Sequence, residues 1–196
     1  ELLCRKAIEI KPDYTNAHLI LGNILRSLGK SEEAELSYRK AVEIKPDYAN
    51  AHLNLGNILS DLGKLEEAEL SYRNAIEIKP DYADAHSNLG IILKSLDKLQ
   101  DAEVSYRKAI ELKPDFANAH SNLGNVLIDL GKLQDAEFSY RKAIELKPDF
   151  ANAYLNLGII LRDLGELKDA ESSLRKATKI KPDFAKAHSN LGNVLI

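Results

Sequence analysis

The chain has 196 residues, with 27 Lys and Arg against 30 Asp and Glu, six Pro, ten Gly, one Cys, and neither Met nor Trp. A net charge of −3 excludes a polybasic nucleic-acid binder, which needs an excess of cations to neutralise phosphates. With 44% apolar residues and the two charge signs interspersed, the composition is that of a folded protein rather than a disordered one. No apolar run approaches a membrane span, no basic-then-apolar leader opens the chain, and the single Cys4 cannot build a disulfide framework. These features predict a cytoplasmic protein without membrane contact. Glu1 in the place of an initiator Met predicts a processed or excised piece.

In chain order, the elements recur with a period of 34 residues. All six prolines fall in one column: Pro12, Pro46, Pro80, Pro114, Pro148 and Pro182. Gly22, Gly56, Gly90, Gly124, Gly158 and Gly192 form a second column. Gly29, Gly63, Gly131 and Gly165 form a third, with Asp97 in its gap. Residues 83–116 and 117–150 agree at 27 of 34 positions. A fixed period of this length specifies stacked supersecondary units. The units read as five full repeats, 15–48, 49–82, 83–116, 117–150 and 151–184. Residues 1–14 form a partial repeat before them, most of a second helix, and residues 185–196 a partial repeat after them, a lone first helix. Apolar faces bare at both ends predict a segment cut from a longer array, since arrays normally close with polar caps.

Each unit reads as two helices. In residues 49–62, Ala51, Leu55, Ile58, Leu59 and Leu62 fall on one helical face; in residues 65–78, Leu65, Ala68, Tyr72, Ala75 and Ile76 do the same. Gly63 ends the first helix in a left-handed conformation, and Asp97 replaces it because Asp tolerates that region. Pro80 stops the second helix, and Asp81 is expected to cap the helix that follows. Glu66 and Glu67 favour the start of the second helix through its dipole. Gly56 and Ala68 let the paired backbones approach, while Leu55, Leu59, Tyr72 and Ile76 fill the seam. No stretch reads as a strand.

The columns Leu55–Gly56, Leu59, Ala68, Tyr72, Ala75 and Pro80 resemble the tetratricopeptide repeat, and the resemblance covers the whole chain. It implies an all-α right-handed superhelical solenoid of antiparallel helix pairs. First helices would line a concave groove that binds peptide segments or partner proteins. The chain departs from the family where Trp is common, carrying His18, His52, His86, His120, Tyr154 and His188. The aromatic column of Tyr38, Tyr72, Tyr106 and Tyr140 becomes Leu174 in the fifth unit and Cys4 in the first partial one.

Candidate chemistry is sparse. Equivalent His residues on stacked helices lie roughly 8–10 Å apart, too far to share a metal held at about 2 Å, so packing explains the column. Gly29-Lys30-Ser31 lacks the spacing and the preceding strand of a phosphate loop. Cys4 sits in a seam column, where Cys behaves as a small hydrophobe. The mixed charges of the second helices, such as Arg73, Glu77 and Lys79, read as a solvated outer face. No catalytic constellation, cofactor site or metal site is expected.

The anomaly is asparagine. Thirteen of fourteen lie on first helices in three columns, and only Asn74 lies elsewhere. Asn50, Asn54 and Asn57 share one helical face, and Asn is a poor helix former there. A carboxamide can pair with both the N–H and the C=O of an extended peptide. The resulting candidate protein-binding set is Asn50, Asn54, Asn57, Asn88, Asn118, Asn122, Asn125, Asn152 and Asn156, with Lys186 and Asn190. Such a ladder resembles the groove of the tetratricopeptide arm of O-linked N-acetylglucosamine transferase. A ladder copied by duplication that only links neighbouring helices is the competing reading. Some tetratricopeptide domains clamp a terminal carboxylate; Asn125, Asn156 and Lys186 match that pattern, but Ser121 and Asn190 stand where cations belong, which disfavours chaperone tails. Ile20, Asp84, Ile91, Ile128 and Ile159 interrupt the stripe and are expected to set selectivity. The expected function is a non-catalytic scaffold for a protein or peptide partner. The alternatives are the recognition arm of a larger enzyme such as a glycosyltransferase, and a solenoid that self-associates end to end through uncapped faces.

Overall fold

A computed structural model describes residues 1–195, and among them it contains twelve α-helices and no strand. The chain divides into two compact units, Glu1–Lys98 and Leu99–Ile196. The first holds α1 (Leu2–Ile10), α2 (Thr15–Ser27), α3 (Ser31–Ile44), α4 (Ala49–Asp61), α5 (Leu65–Ile78) and α6 (Ala83–Ser95). The second holds α7 (Leu99–Leu112), α8 (Ala117–Asp129), α9 (Leu133–Leu146), α10 (Ala151–Asp163), α11 (Leu167–Ile180) and α12 (Ala185–Val194). Within each unit every helix packs on its neighbours in sequence, so a helix pair buries its apolar stripe against the next pair.

The glycines of the seam make room for a side chain rather than for the close backbone approach expected of them. A Cβ placed on Gly56 would lie 2.6 Å from Cε1 of Tyr72, and one on Gly124 would lie 2.7 Å from Cζ of Tyr140. Glycine at these positions is therefore the seat of a tyrosine ring. In the fifth repeat, Leu174 takes the place of the ring, with its Cγ 2.6 Å from the corresponding Cβ of Gly158. Ala34, Ala68, Ala102, Ala136 and Ala170 are fully buried on the partner helices.

Between the helices of a pair, Gly63 adopts φ +74° and Asp97 adopts φ +58°, the left-handed conformation expected of both. Between pairs, α5 ends at Ile78, two residues before Pro80. One expectation fails in this turn. The N-cap of α6 is Tyr82, not Asp81, and it makes no side-chain capping bond. The reason lies in the backbone: the Tyr82 carbonyl accepts from the N–H groups of Ala85 and His86 at 3.0 and 3.1 Å and so opens the helical ladder. The Lys79 ammonium sits 4.7 Å from the centroid of the Tyr82 ring, and the same Lys–aromatic contact recurs at all six Pro-Asp turns.

Every histidine fastens one of these turns. His52 Nε2 donates to the Pro46 carbonyl at 2.8 Å, and His18, His86, His120 and His188 bond their own prolines in the same way at 2.9–3.1 Å. This bond assigns the column a structural role, tying the start of each first helix to the turn before it. Tyr154 stands in that column without a bond of this kind.

Candidate functional site

The asparagine columns are built from two interactions that repeat. In the first unit, Tyr72 donates its hydroxyl to Asn57 Oδ1 at 2.8 Å, and Asn88 Nδ2 donates to the same oxygen at 2.9 Å. Tyr38 and Asn54 converge in the same way on Asn23 Oδ1, at 2.8 and 3.2 Å. In the second unit, Tyr140 and Asn156 converge on Asn125 Oδ1, at 2.7 and 3.0 Å. One carboxamide oxygen thus takes a hydroxyl from its own repeat and an amide from the next one along. Burial raises the pKa values of Tyr72 and Tyr140 well above the usual phenol value, so both hydroxyls stay donors at neutral pH.

The ladder is therefore part of the packing, as the competing reading of the sequence held, but it is only partly consumed. Asn57 and Asn125 keep their Nδ2 groups, and Asn54, Asn88 and Asn156 keep their Oδ1 atoms, without a hydrogen-bond partner among the described residues. All five are half-buried, with one edge open to solvent.

The remaining candidates are placed as follows. Asn50 is exposed, and its Oδ1 accepts from the Tyr82 hydroxyl at 3.0 Å. Asn118 and Asn152 are also exposed; Phe in place of Tyr at 150 and 184 removes the corresponding hydroxyl, and neither carboxamide is bonded. Asn122 is half-buried and unbonded. Asn190 is spent locally: it donates to the Lys186 carbonyl at 2.8 Å and accepts from Arg162 at 3.2 Å. Lys186 is exposed and makes no ion pair among the described residues.

The second unit brings several of these together. Asn122, Asn125, Asn152, Asn156 and Lys186 line one cavity of about 300 Å³, walled by Phe150, Phe184 and Leu155. In the first unit, Asn57 and Asn88 border a smaller cavity of about 170 Å³, beside Tyr72 and the Arg26–Asp61 ion pair of 2.8 Å. Asn50, Asn54, Asn118 and Asn190 border neither.

Two features escaped sequence reasoning. The first is the tyrosine hydroxyl on the asparagine 15 residues before it. The second is a set of buried carboxylates on second helices. Glu35, Glu69 and Glu103 are under a tenth exposed. Glu35 bonds Arg39 and Lys64, Glu69 bonds Arg73 and Lys98, and Glu103 bonds Arg107 and Lys132, with the lysine contacts at 2.6–2.8 Å. Burial works against ionisation of these groups, yet the paired cations outweigh it and hold all three below the ordinary carboxyl value. Each lysine arrives from the turn that opens the following second helix, so the triads lock repeat to repeat.

No helix among the described residues is long and apolar enough to cross a membrane. Residues 5–196 match the family described as the cilia and flagella-associated protein 70 C-terminal domain, a domain of tetratricopeptide repeats. No curated protein matches the chain. Among solved structures, YrrB, described as a TPR protein with an unusual peptide-binding site, is similar with a TM-score of 0.80 at 26% identity, over 95% of this chain and 96% of that one. MamA is similar with a TM-score of 0.78 at 28% identity, over 84% of this chain and 96% of that one. Pseudomonas aeruginosa pilF shares the fold at 22% identity with a TM-score of 0.76, over 90% of this chain and 88% of that one. Tetratricopeptide arrays are, as a class, protein-interaction scaffolds. With its period, helix pairing and repeat columns all of that type, the chain belongs to the tetratricopeptide family of the cilia and flagella-associated protein 70 C-terminal domain.

Proposed function

We propose that the chain is a non-catalytic scaffold that holds an extended segment of a partner protein along the asparagine-bearing face of its first helices. The observation that carries this reading is the half-used ladder. In a pair such as Asn57 and Asn88, one oxygen and one amide are consumed in packing, which fixes both side chains. The Nδ2 group of one residue and the Oδ1 atom of the other remain per pair, and a peptide main chain offers the complementary groups at every residue. Carboxamides already held by packing lose little side-chain entropy on binding, which favours association. Asn152, Lys186 and the phenyl walls of the second-unit cavity supply a place where a side chain of the partner would be read. The description of YrrB as a peptide-binding TPR protein supports the same assignment by analogy.

The test is a peptide array probed with the intact chain and with a variant in which Asn88, Asn122 and Asn156 are all Ala. The expected result is capture of a subset of peptides by the native chain and a drop of at least about tenfold in affinity for the variant, with helicity retained. Equal capture by both chains, or no peptide retained by the native chain, would overturn the proposal.

A further inference from the structure

Three second helices share a surface charge pattern that α11 reverses. On α3, α7 and α9 a lysine pairs with a glutamate three residues on: Lys40 with Glu43 at 2.7 Å, Lys108 with Glu111 at 2.6 Å, and Lys142 with Glu145 at 2.7 Å. On α11 the same two positions are Lys176 and Lys179. Neither has an ion-pair partner among the described residues, and the two like charges face the same side of the helix. Over its length α11 carries four cations against two carboxylates, where α9 carries two against three.

The surroundings change with the charge. The column exposed on the other second helices is apolar, with Leu36, Leu70, Val104 and Phe138 each more than 60% exposed; on α11 it becomes Ser172. The His column becomes Tyr154, whose hydroxyl takes no partner among the described residues. The result is visible in two clefts of the second unit. The one at Phe138, about 260 Å³, has apolar walls of Ile110, Leu123 and Phe138. The one a repeat later, about 390 Å³, is lined by Tyr154, Ser172, Ser173, Arg175, Lys176 and Lys179. Ser172, Arg175, Lys176 and Lys179 are spaced three, one and three, so they stand on one helical face. The carboxylate bonded into the cluster is Glu171, on Arg175 at 2.6 Å.

We propose that this face of α11, together with Tyr154, is a binding site for a phosphomonoester carried on a serine or threonine of a partner protein. The chemistry is complementary. A phosphoryl group brings nearly two negative charges and three acceptor oxygens; the cleft brings two unpaired ammonium groups, a guanidinium fork and hydroxyl donors. A carboxylate would use fewer of these donors and half the charge. An anionic bilayer is a poorer match, because the cations occupy one face of one helix and the side chain that could insert, Phe in the preceding repeat, is here Ser172. The cations of the site lie on a second helix, and Tyr154 of α10 borders no cavity lined by the asparagines.

The experiment uses the intact, 15N-labelled chain and four probes. These are a short acetylated and amidated peptide with one phosphoserine among glycines and serines, its unphosphorylated twin, inorganic phosphate, and phosphatidylserine vesicles. The expected result is saturable shifts of the backbone amides of residues 172–179 with the phosphopeptide, none with its twin, and weaker binding of inorganic phosphate. Lys179→Glu restores the Lys–Glu pair already present on three sister helices, so folding is not at stake. It should weaken the phosphopeptide at least about tenfold while leaving helicity unchanged. Absence of saturable shifts at α11, or equal binding by K179E, would overturn the proposal. So would inorganic phosphate binding as tightly as the peptide, or vesicles binding in its stead. Shifts confined to first-helix asparagines would reject this site while leaving the reading of the asparagine face intact.

Discussion

The glycine, tyrosine and asparagine of one repeat form a single device. Gly124 provides the hollow, the Tyr140 ring fills it, and the hydroxyl, brought to the far side of the seam, fixes Asn125. Gly124→Leu would drive a side chain into the ring and should cost about 1–3 kcal/mol or more. Urea denaturation followed by circular dichroism would report it, and an unchanged midpoint would contradict the seam assignment. Tyr140→Phe keeps the ring and removes the donor, so it should cost about 1 kcal/mol. It should also loosen the Asn125 and Asn156 side chains, read as a loss of dispersion in their NMR carboxamide signals. The seam position of the glycine and of the tyrosine was legible in the sequence, because both recur every 34 residues, but the seating of the ring on the glycine was not. The hydroxyl-to-carboxamide bond was not, because it joins helices whose rotation about their axes is fixed only by packing.

At the scale of the element, helices and turns were legible because their punctuation is chemical. Gly63 and Asp97 adopt the left-handed conformation that ends a first helix, and α5 ends two residues before Pro80. The start of α6 was placed one residue early, at Asp81, because a side-chain cap was expected where a backbone carbonyl and a Lys–aromatic contact do the work. The carboxylate triads between second helices were read only as solvated charge, since the distance from Glu69 to Lys98 along the chain hides their contact at 2.8 Å. Their linkage to pH has a definite sign. The folded pKa values of Glu35, Glu69 and Glu103 lie below the unfolded value of about 4.3, so their contribution is complete above that value and is lost as pH falls through the folded pKa values. Melting temperatures should therefore drop on acidification below about pH 4.3. Glu69→Gln should be less stable than the native chain at neutral pH and show a shallower acid slope. A parallel slope in the variant would remove Glu69 from the account.

For the whole molecule, the repeat dictates most of what can be said. Three pairs of the asparagines, Asn23 with Asn54, Asn57 with Asn88 and Asn125 with Asn156, hold neighbouring repeats together. What the sequence could not settle was whether packing uses the carboxamides up. In the structure Asn23, Asn57 and Asn125 are pinned through their oxygens alone, whereas Asn190 is consumed at both ends by its own helix and Arg162. Departures from the repeat then mark where one unit differs from the rest. Lys186 adds a cation to the asparagine face, and α11 reverses the charge of its exposed side.

The central claim is that the remaining donors and acceptors of this ladder pair with a peptide main chain. The most direct measurement is NMR on a chain labelled with 15N only in the asparagine side chains, titrated with the strongest peptide from the array. The account predicts saturable shifts at Asn57, Asn88, Asn125 and Asn156 and none at Asn74, which lies on a second helix. Binding that leaves those four signals in place, or that moves Asn74 instead, would contradict it.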